Sequence, residues 1–357
     1  MSLRWEAMKS QDIQDIMSGK TKSLPASIAR AGLAIASLPY GAIMSLRRRA
    51  YGVGLLKSHK APLPVICVGN LTAGGTGKTP MVAWVVQKLI EAGKTPAILT
   101  RGYKAVAGVS DEAELLRELT GVEVIINPDR LAGARQAAEA EADVLVMDDG
   151  FQHLRLRRDL NIVLIDARNP LGYNWLLPRG LLRERPSALK SAHAIVITHS
   201  NRISPPELEK LSDRLEKLAR GARVYWAVHQ PVAVIDENGT RLPIDALLGQ
   251  QLWAFAGIAN PDGFFNTLKA LGAKLLGHQG LDDHAEYTKP TIDAINLAAE
   301  ASTAKAFITT QKDFPKLKIL RTANLDLPLW QLAIEIQIID GQDHLTKLIK
   351  KTLAASK

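Results

Sequence analysis

A lysine and a threonine close a glycine-rich run, VGNLTAGGTGKTP, at residues 68–80. That grouping suits phosphate chemistry. Gly74, Gly75 and Gly77 let backbone amides turn inward on phosphate oxygens without a Cβ in the way. Lys78 would reach the β- and γ-phosphates, and the Thr79 hydroxyl would ligate Mg²⁺. Thr72, Ala73 and Thr76 complete the cradle, and the helix N-terminus that follows adds partial positive charge. The usual pattern has Gly five residues before the last Gly, where this chain has Thr72. A chance GKT in a turn is the competing reading, but an apolar run precedes the loop and a helix-like run follows it. Such a loop needs an acid at the end of a neighbouring strand. DVLVMDDG offers Asp148 and Asp149 for Mg²⁺, although two acids at a strand end also serve as turn residues. ATP or GTP with Mg²⁺ is therefore expected.

The elements that would hold these groups are legible from residue 62 onward. Apolar runs PVICVG (64–69), PAILT (96–100), VEVII (122–126), DVLVMD (143–148), NIVLID (161–166) and HAIVIT (193–198) alternate with helix-like stretches such as MVAWVVQKLIEAG (81–93) and LAGARQAAEAEA (131–142). Near-continuous β-branched strands between helices imply an α/β fold, a mostly parallel sheet covered on both faces. Further on, VYWAVHQPVAVID (224–236) and LPLWQLAIEIQI (327–338) are strand-like and bracket LWAFAGIANPDGFFNTLKALG (252–272) and AKAFITT (304–310). They read as a two-stranded connection to a smaller α/β domain, before a last helix, HLTKLIKKTLAA (344–355). The expected division is 1–60, an N-terminal helical segment; 61–225, the phosphate-loop core; 226–338, the smaller domain; and 339–357, the returning helix.

The chain of 357 residues carries 45 Lys and Arg against 36 Asp and Glu, a net charge of +9, and asks for an anionic partner. With 46% hydrophobic residues it is not a mostly disordered chain, and Cys67 as the single cysteine excludes an internal disulfide or a cysteine-based zinc site. Nucleic acid is disfavoured, since 5% aromatics leaves little for base stacking and no recognition motif is present. Residues 24–46, LPASIARAGLAIASLPYGAIMSL, are the one apolar stretch long enough to cross a bilayer. Arg30 interrupts it, and Pro25 and Pro39 are expected to break or bend a helix. Lys20 and Lys22 precede it, and Arg47, Arg48 and Arg49 follow. The preferred reading is a helix lying in the headgroup region, its basic residues reaching for lipid phosphate; a helix packed on a soluble domain and a true span are the alternatives.

Several segments, taken with the loop, resemble the tetraacyldisaccharide 4′-kinase family. They are LTRGY (99–103), SDE (110–112), DDGFQHLRL (148–156), LPRGLLRE (177–184), FAGIANPDGF (255–264), DDHAEYT (282–288) and TTQKDFPKL (309–317), covering most of the chain from about residue 60 to 320. Thr72 is normal for that family. The resemblance implies transfer of the ATP γ-phosphate to the 4′-hydroxyl of a tetraacylated glucosamine disaccharide 1-phosphate, giving lipid IVA. It also implies work at the cytoplasmic face of the bacterial inner membrane, docked through the N-terminal helix, and no protein partner.

By the same resemblance Lys78 is catalytic, Asp148 and Asp149 are the metal acids, Asp111 is the base on the sugar hydroxyl and His284 is its paired histidine. From the residues alone, Asp111 after Ser110 reads as a helix-capping acid and His284 as a loop histidine. Arg101 and Tyr103 follow a strand end, where active-site side chains gather, and are assigned to the nucleotide. His153 is close enough to the metal acids to share their cleft. Arg183 and Glu184 are expected to meet the acidic, acylated acceptor or to pair with each other. Lys312 and Asp313 in TQKD have the wrong spacing for a guanine-reading motif and are left without a role, facing the cleft between domains. The alternative function is a P-loop ATPase or GTPase acting as a membrane-associated switch or loading factor, with no need for Asp111 or His284.

Overall fold

The computed structural model describes residues 10–102, 110–282, 285–319 and 325–355. In chain order the elements are α1 (Ser10–Ser18), α2 (Leu24–Gly52), β1 (Val65–Asn70), α3 (Lys78–Ile90), β2 (Pro96–Thr100), α4 (Asp111–Thr120), β3 (Val124–Ile126), α5 (Arg130–Glu139), β4 (Val144–Asp148), β5 (Leu160–Asp166), β6 (Ala194–Thr198) and α6 (Pro205–Ala219). They continue with β7 (Arg223–Ile235), β8 (Arg241–Leu242), β9 (Gln251–Ala256), α7 (Pro261–Ala270), β10 (Lys274–Gly280), α8 (Lys289–Glu300), β11 (Ala306–Thr310), α9 (Phe314–Ile319), β12 (Leu329–Asp340) and α10 (Gln342–Ala355). The chain forms two units, Met1–His229 with Ile336–Lys357, and Gln230–Glu335.

In the first unit the strands run parallel in the order β3-β2-β4-β1-β5-β6-β7. All six residues of β1 are buried, because each face carries its own apolar layer. Ile66 and Val68 pack with Met81, Val82 and Val85 of α3, while Val65 and Cys67 pack with Ala134 and Ala137 of α5. The two-residue alternation of a strand sends successive side chains to opposite layers, and each aliphatic side chain so buried contributes about 1.5–3 kcal/mol. Burial pushes the Cys67 thiol up to about 12, so it is an inert core residue. Register fixes the site: Val68 pairs with Asp148 on one side and with Ile162 on the other, so β4 ends beside Val68 while β1 runs on to Asn70.

Helix α2 departs from expectation. Pro25 starts it instead of breaking it, as a proline in the first turn behind the N-cap Ser23, whose hydroxyl accepts from the Ala26 amide. Pro39 lies inside a helix that continues to Gly52. The Ile35 carbonyl that Pro39 leaves without its usual partner is on the exposed side, so nothing buried goes unpaired there. With about 3.6 residues per turn, Leu24, Ile28, Ile35, Leu38, Ile43 and Leu46 fall within an arc of about 140°. All six are exposed, Ile35 at 70% and Leu46 at 69%. Ala26, Ser37 and Gly41 on the opposite arc are buried. A Cβ at Gly41 would come within 2.6 Å of Leu176 Cδ1, so glycine is what lets the helix lie close there.

In the second unit the strands run parallel in the order β10-β9-β11-β12. Leu252, Ala254 and Ala256 of β9 face Phe264, Phe265 and Leu268 of α7, and Phe255 faces Ile292 and Ile295 of α8 with Phe307 and Phe314.

Candidate active site

The phosphate loop spans from Asn70, at the end of β1, to Gly77, the residue before α3. Side chains on both sides brace it. Asn70 Nδ2 donates to Thr76 Oγ1 at 2.9 Å, and the buried Thr198 hydroxyl donates to the Thr76 carbonyl at 3.0 Å. Gly77 sits at φ +83°, and a Cβ there would overlap the His229 imidazole, so both backbone and space demand glycine. The segment 181–183 runs alongside as a short strand-like partner. The Ala73 amide donates to the Leu181 carbonyl at 2.7 Å, and the Arg183 amide to the Leu71 carbonyl at 2.9 Å.

Asp148 and Asp149 stand at the end of β4, where their environments diverge. Asp148 is 5% exposed, and its Oδ1 has no hydrogen-bond partner among the described residues. Desolvation raises its carboxyl to about 7; Lys78 and Arg130 oppose the shift, and Asp149 and Glu112 add to it. Burial would raise Asp149 too, but Lys78 and Arg183 outweigh it and hold its carboxyl below the usual range. Lys78 Nζ lies 3.7 Å from Asp149 Oδ1, and Arg183 Nη1 lies 2.9 Å from both Asp149 oxygens. Two neighbouring carboxylates pushed apart in proton affinity are a mark of functional chemistry.

The donor set fits Mg²⁺. The buried, unpartnered Asp148 oxygen, the Asp149 carboxylate and the Thr79 hydroxyl, second residue of α3, are oxygen donors. Among the described residues no group of three or more His, Cys, Asp or Glu forms a cage. Mg²⁺ takes one or two carboxylates and leaves its other positions to phosphate and water.

The remaining sequence-derived residues divide. Asp111 opens α4 and is exposed; Glu112 beside it is close enough to act on Asp148, which places the first turn of α4 toward that carboxyl. Arg101 follows the end of β2 and is exposed, and its charge is felt at Arg130. His153 is half-buried; desolvation first, then Arg130, Arg158, Arg47 and Arg155, lower it to about 4, so it is neutral at physiological pH. Tyr103 and His284 lie outside the described residues.

Glu184 does not fit the acceptor role. It is 3% exposed, and its Oε2 accepts from Arg48 Nη2 of α2 at 2.5 Å. Nor does it pair with Arg183, which turns the other way to Asp149. Arg47 and Arg48 are likewise not free for lipid phosphate. Arg47 Nη1 donates to the Gln152 carbonyl at 3.0 Å, and Arg48 Nη1 donates to Ser191 Oγ at 3.1 Å. Tyr40 Oη adds a bond to the Arg183 carbonyl at 2.9 Å. These groups were legible only as charges in sequence; the inward arc of α2 directs them at polar atoms of the core.

Sequence reasoning missed several supports. Arg130, at the start of α5, is 3% exposed and donates to the Asp148 carbonyl at 3.4 Å. Burial lowers its guanidinium to about 10, which leaves it charged. Asn70, Thr198, His199 and His229 also went unassigned; polar residues at the carboxyl ends of predicted parallel strands were the available signal. In the second unit, Asp313 is fully buried. Its Oδ2 accepts from the Gly257 amide at 2.9 Å and from Thr310 Oγ1 at 2.7 Å, and Lys316 Nζ lies 3.7 Å from Oδ1. Asp313 thus ties the ends of β9 and β11 together, a structural post within that unit.

Comparison with known proteins agrees with this geometry. The family model described as tetraacyldisaccharide-1-P 4′-kinase matches residues 29–354. A tetraacyldisaccharide 4′-kinase of Anaeromyxobacter dehalogenans (strain 2CP-C) is 38% identical over 342 residues, covering 89% of each chain. Its counterpart in Geobacter metallireducens is 39% identical over 305 residues, covering 80% of this chain and 88% of that one. The crystal structure of "apo" form LpxK from Aquifex aeolicus in complex with ATP superposes with a TM-score of 0.74 at 28% identity, covering 91% of this chain and 99% of that one. A phosphate loop braced beside two opposed carboxylates, in a chain matched over nearly its whole length, places this protein in the tetraacyldisaccharide 4′-kinase family.

Proposed function

We propose that this chain transfers the γ-phosphate of ATP to the 4′-hydroxyl of a tetraacyldisaccharide 1-phosphate, giving lipid IVA in lipid A biosynthesis, at the cytoplasmic face of the inner membrane. The observation that carries the reading is the Lys78–Thr79 loop facing Asp148 and Asp149 in a chain of this family. Phosphoryl transfer depends on positioning and on neutralising charge over the transferred group. Lys78 sits where it can move from Asp149 to phosphate oxygens, and Arg183 and Arg101 supply further positive charge. Thr79, Asp148 and Asp149 would hold Mg²⁺, which would supply positive charge to offset that of the phosphates. Asp111 accepts the proton of the sugar hydroxyl, with His284 orienting it. His153, kept neutral, offers a hydrogen bond to the acceptor, and Tyr103 is assigned to the nucleotide.

The outward apolar arc of α2 supports the membrane part of the reading. A soluble helix turns its apolar side to its own core, whereas α2 turns mostly small and polar residues inward and six of its seven leucines and isoleucines outward, Leu33 being half-buried. Such a helix suits the headgroup–acyl boundary of a bilayer. Phosphate labelled at the γ position of ATP should pass to the acylated disaccharide 1-phosphate in mixed micelles. ATP turnover that ignores this acceptor and answers to a protein partner would replace the kinase reading with the switch.

A further inference from the structure

Opposite its outward apolar arc, α2 carries Ser37, Tyr40, Gly41, Met44, Arg47 and Arg48, spaced by three and four residues along one face. At Gly41 the missing Cβ lets the helix lie against Leu176. The polar side chains of this face then divide by what they touch. Arg48 closes on the Glu184 carboxylate, side chain to side chain. Tyr40 and Arg47 instead reach main-chain carbonyls, and the residues that own those carbonyls face the phosphate loop. Tyr40 Oη donates to the Arg183 carbonyl at 2.9 Å, and Arg47 Nη1 to the Gln152 carbonyl at 3.0 Å. Burial first, then Glu184, raises the Tyr40 phenol, so it stays a donor.

Arg183 is held at three points. Its amide donates to the Leu71 carbonyl at 2.9 Å, its carbonyl accepts from Tyr40, and its Nη1 lies 2.9 Å from both Asp149 oxygens. Gln152 is a second junction. Its Nε2 donates to the Asn70 carbonyl at 2.9 Å, where β1 passes into the loop, and its Oε1 faces Arg183 Nη1 at 3.5 Å. Asn70 in turn braces Thr76. Two threads therefore run from one helix to the two residues that meet at the guanidinium on Asp149. Phosphoryl transfer depends on where such charges stand, and a displacement of about 1 Å in a positioned group can cost about 10²-fold in rate.

We propose that Tyr40 and Arg47 are positioning residues that make α2 a strut of the active site, fixing Arg183 and Gln152 against Asp149 and the phosphate loop. A helix moves as a rigid element, so seating its outward arc in a bilayer also sets its inward arc, and these two bonds couple docking to phosphoryl transfer. The coupling rests on the reading of the chain as a kinase that works at a membrane. Steady-state transfer by the full chain in mixed micelles, with sedimentation of the same variants on anionic phospholipid vesicles, tests it. Tyr40→Phe keeps the ring and removes only the donor. It should lower kcat about 3- to 10-fold, the effect of one lost hydrogen bond, and leave KM for ATP and vesicle binding within about 2-fold. In an Arg183→Gln background, which already lacks the guanidinium, adding Tyr40→Phe should change kcat by less than about 1.5-fold, because residues acting as one unit are not additive. Arg47→Met should lower kcat by a similar factor, and Arg47→Lys, which keeps a donor, should recover most of it. An equal loss from Tyr40→Phe with and without Arg183 overturns the proposal, as does no loss at all, because the hydroxyl would then only attach the helix. Vesicle binding that falls in step with kcat also overturns it, since Tyr40 would act through anchoring. A wild-type chain that moves no phosphate to the acylated disaccharide 1-phosphate removes the kinase reading itself and the coupling with it.

Discussion

Two clusters of opposite charge lie close together in the first unit, and they are built to different ends. Around the phosphate loop, Lys78 and Arg183 face Asp149, Arg130 reaches the Asp148 and Asn127 carbonyls, and one buried Asp148 oxygen has no partner among the described residues. Under α2, Arg48 and Glu184 close directly on each other, and Arg47, Arg48 and Tyr40 add bonds to the core. Both sets contain arginines against a buried acid. The first gathers its charges around a glycine loop at the strand ends, where a ligand can meet them; the second joins a helix to a domain, although Arg48 Nε and Glu184 Oε1 also lack partners among the described residues. What a charge does is set by what folding brings against it, and the count of charges says little about that.

That contrast can be broken or sharpened by substitution. Asp111→Ala should lower kcat by about 10²–10⁴ while ATP affinity stays within about 2-fold, since a base acts on the acceptor; a parallel loss of nucleotide binding would move Asp111 from the acceptor to the nucleotide. Lys78→Ala should lower kcat/KM by about 10²–10³ through lost charge stabilisation, without destabilising the fold, as measured by thermal unfolding. Glu184→Ala should do the reverse. It leaves a largely buried arginine without its carboxylate and should cost about 3 kcal/mol of stability, the lower end for a broken buried pair because Arg48 is 24% exposed. Denaturant unfolding measures this, and a loss of only a few tenths of a kcal/mol would show that α2 is held otherwise.

A pH-dependent effect should separate the two clusters. The Asp148 carboxyl is raised in the folded protein, from 3.8 to about 7. The native chain therefore keeps a proton that the unfolded chain releases, and the associated stability is complete below about pH 4 and lost as pH rises through about 7. In the nucleotide-free protein, Asp148→Asn should raise the melting temperature relative to the parent at pH 8, with the difference vanishing near pH 4. A difference independent of pH would mean that Asp148 is not protonated in the fold. Smallest in stability is Ile35→Glu on the outward arc of α2. It should change unfolding free energy by about 0.5 kcal/mol or less, yet reduce sedimentation with vesicles containing anionic phospholipid. Unchanged vesicle binding would leave the arc without a role at the bilayer.

Much of the fold was legible because its signals are local. The parallel sheet announced itself through β-branched runs, and Val65–Asn70 followed by a glycine loop and α3 lies where strand, loop and helix were expected. Helix α2 was legible as an apolar segment, but Pro25 and Pro39 misled. A proline in the first turn costs nothing, and an interior one is tolerated where the carbonyl it leaves is exposed. Arg47 and Arg48 misled in another way, since their number was visible and their direction was not.

The amino-acid sequence by itself determined the chemistry on offer: the glycine loop with Lys78 and Thr79, the acids at 148 and 149, and the alternation that makes an α/β sheet. These depend on backbone freedom, residue type and spacing over a few positions. Only the tertiary structure decided which charges face a ligand and which face the protein. Arg48 meets Glu184 across 136 positions, Thr198 meets Thr76 across 122, and Arg183 reaches Asp149 across 34. No local pattern encodes such partners. They follow from burial, which makes an unpaired polar atom costly and so directs each one to the partner that the fold brings within reach.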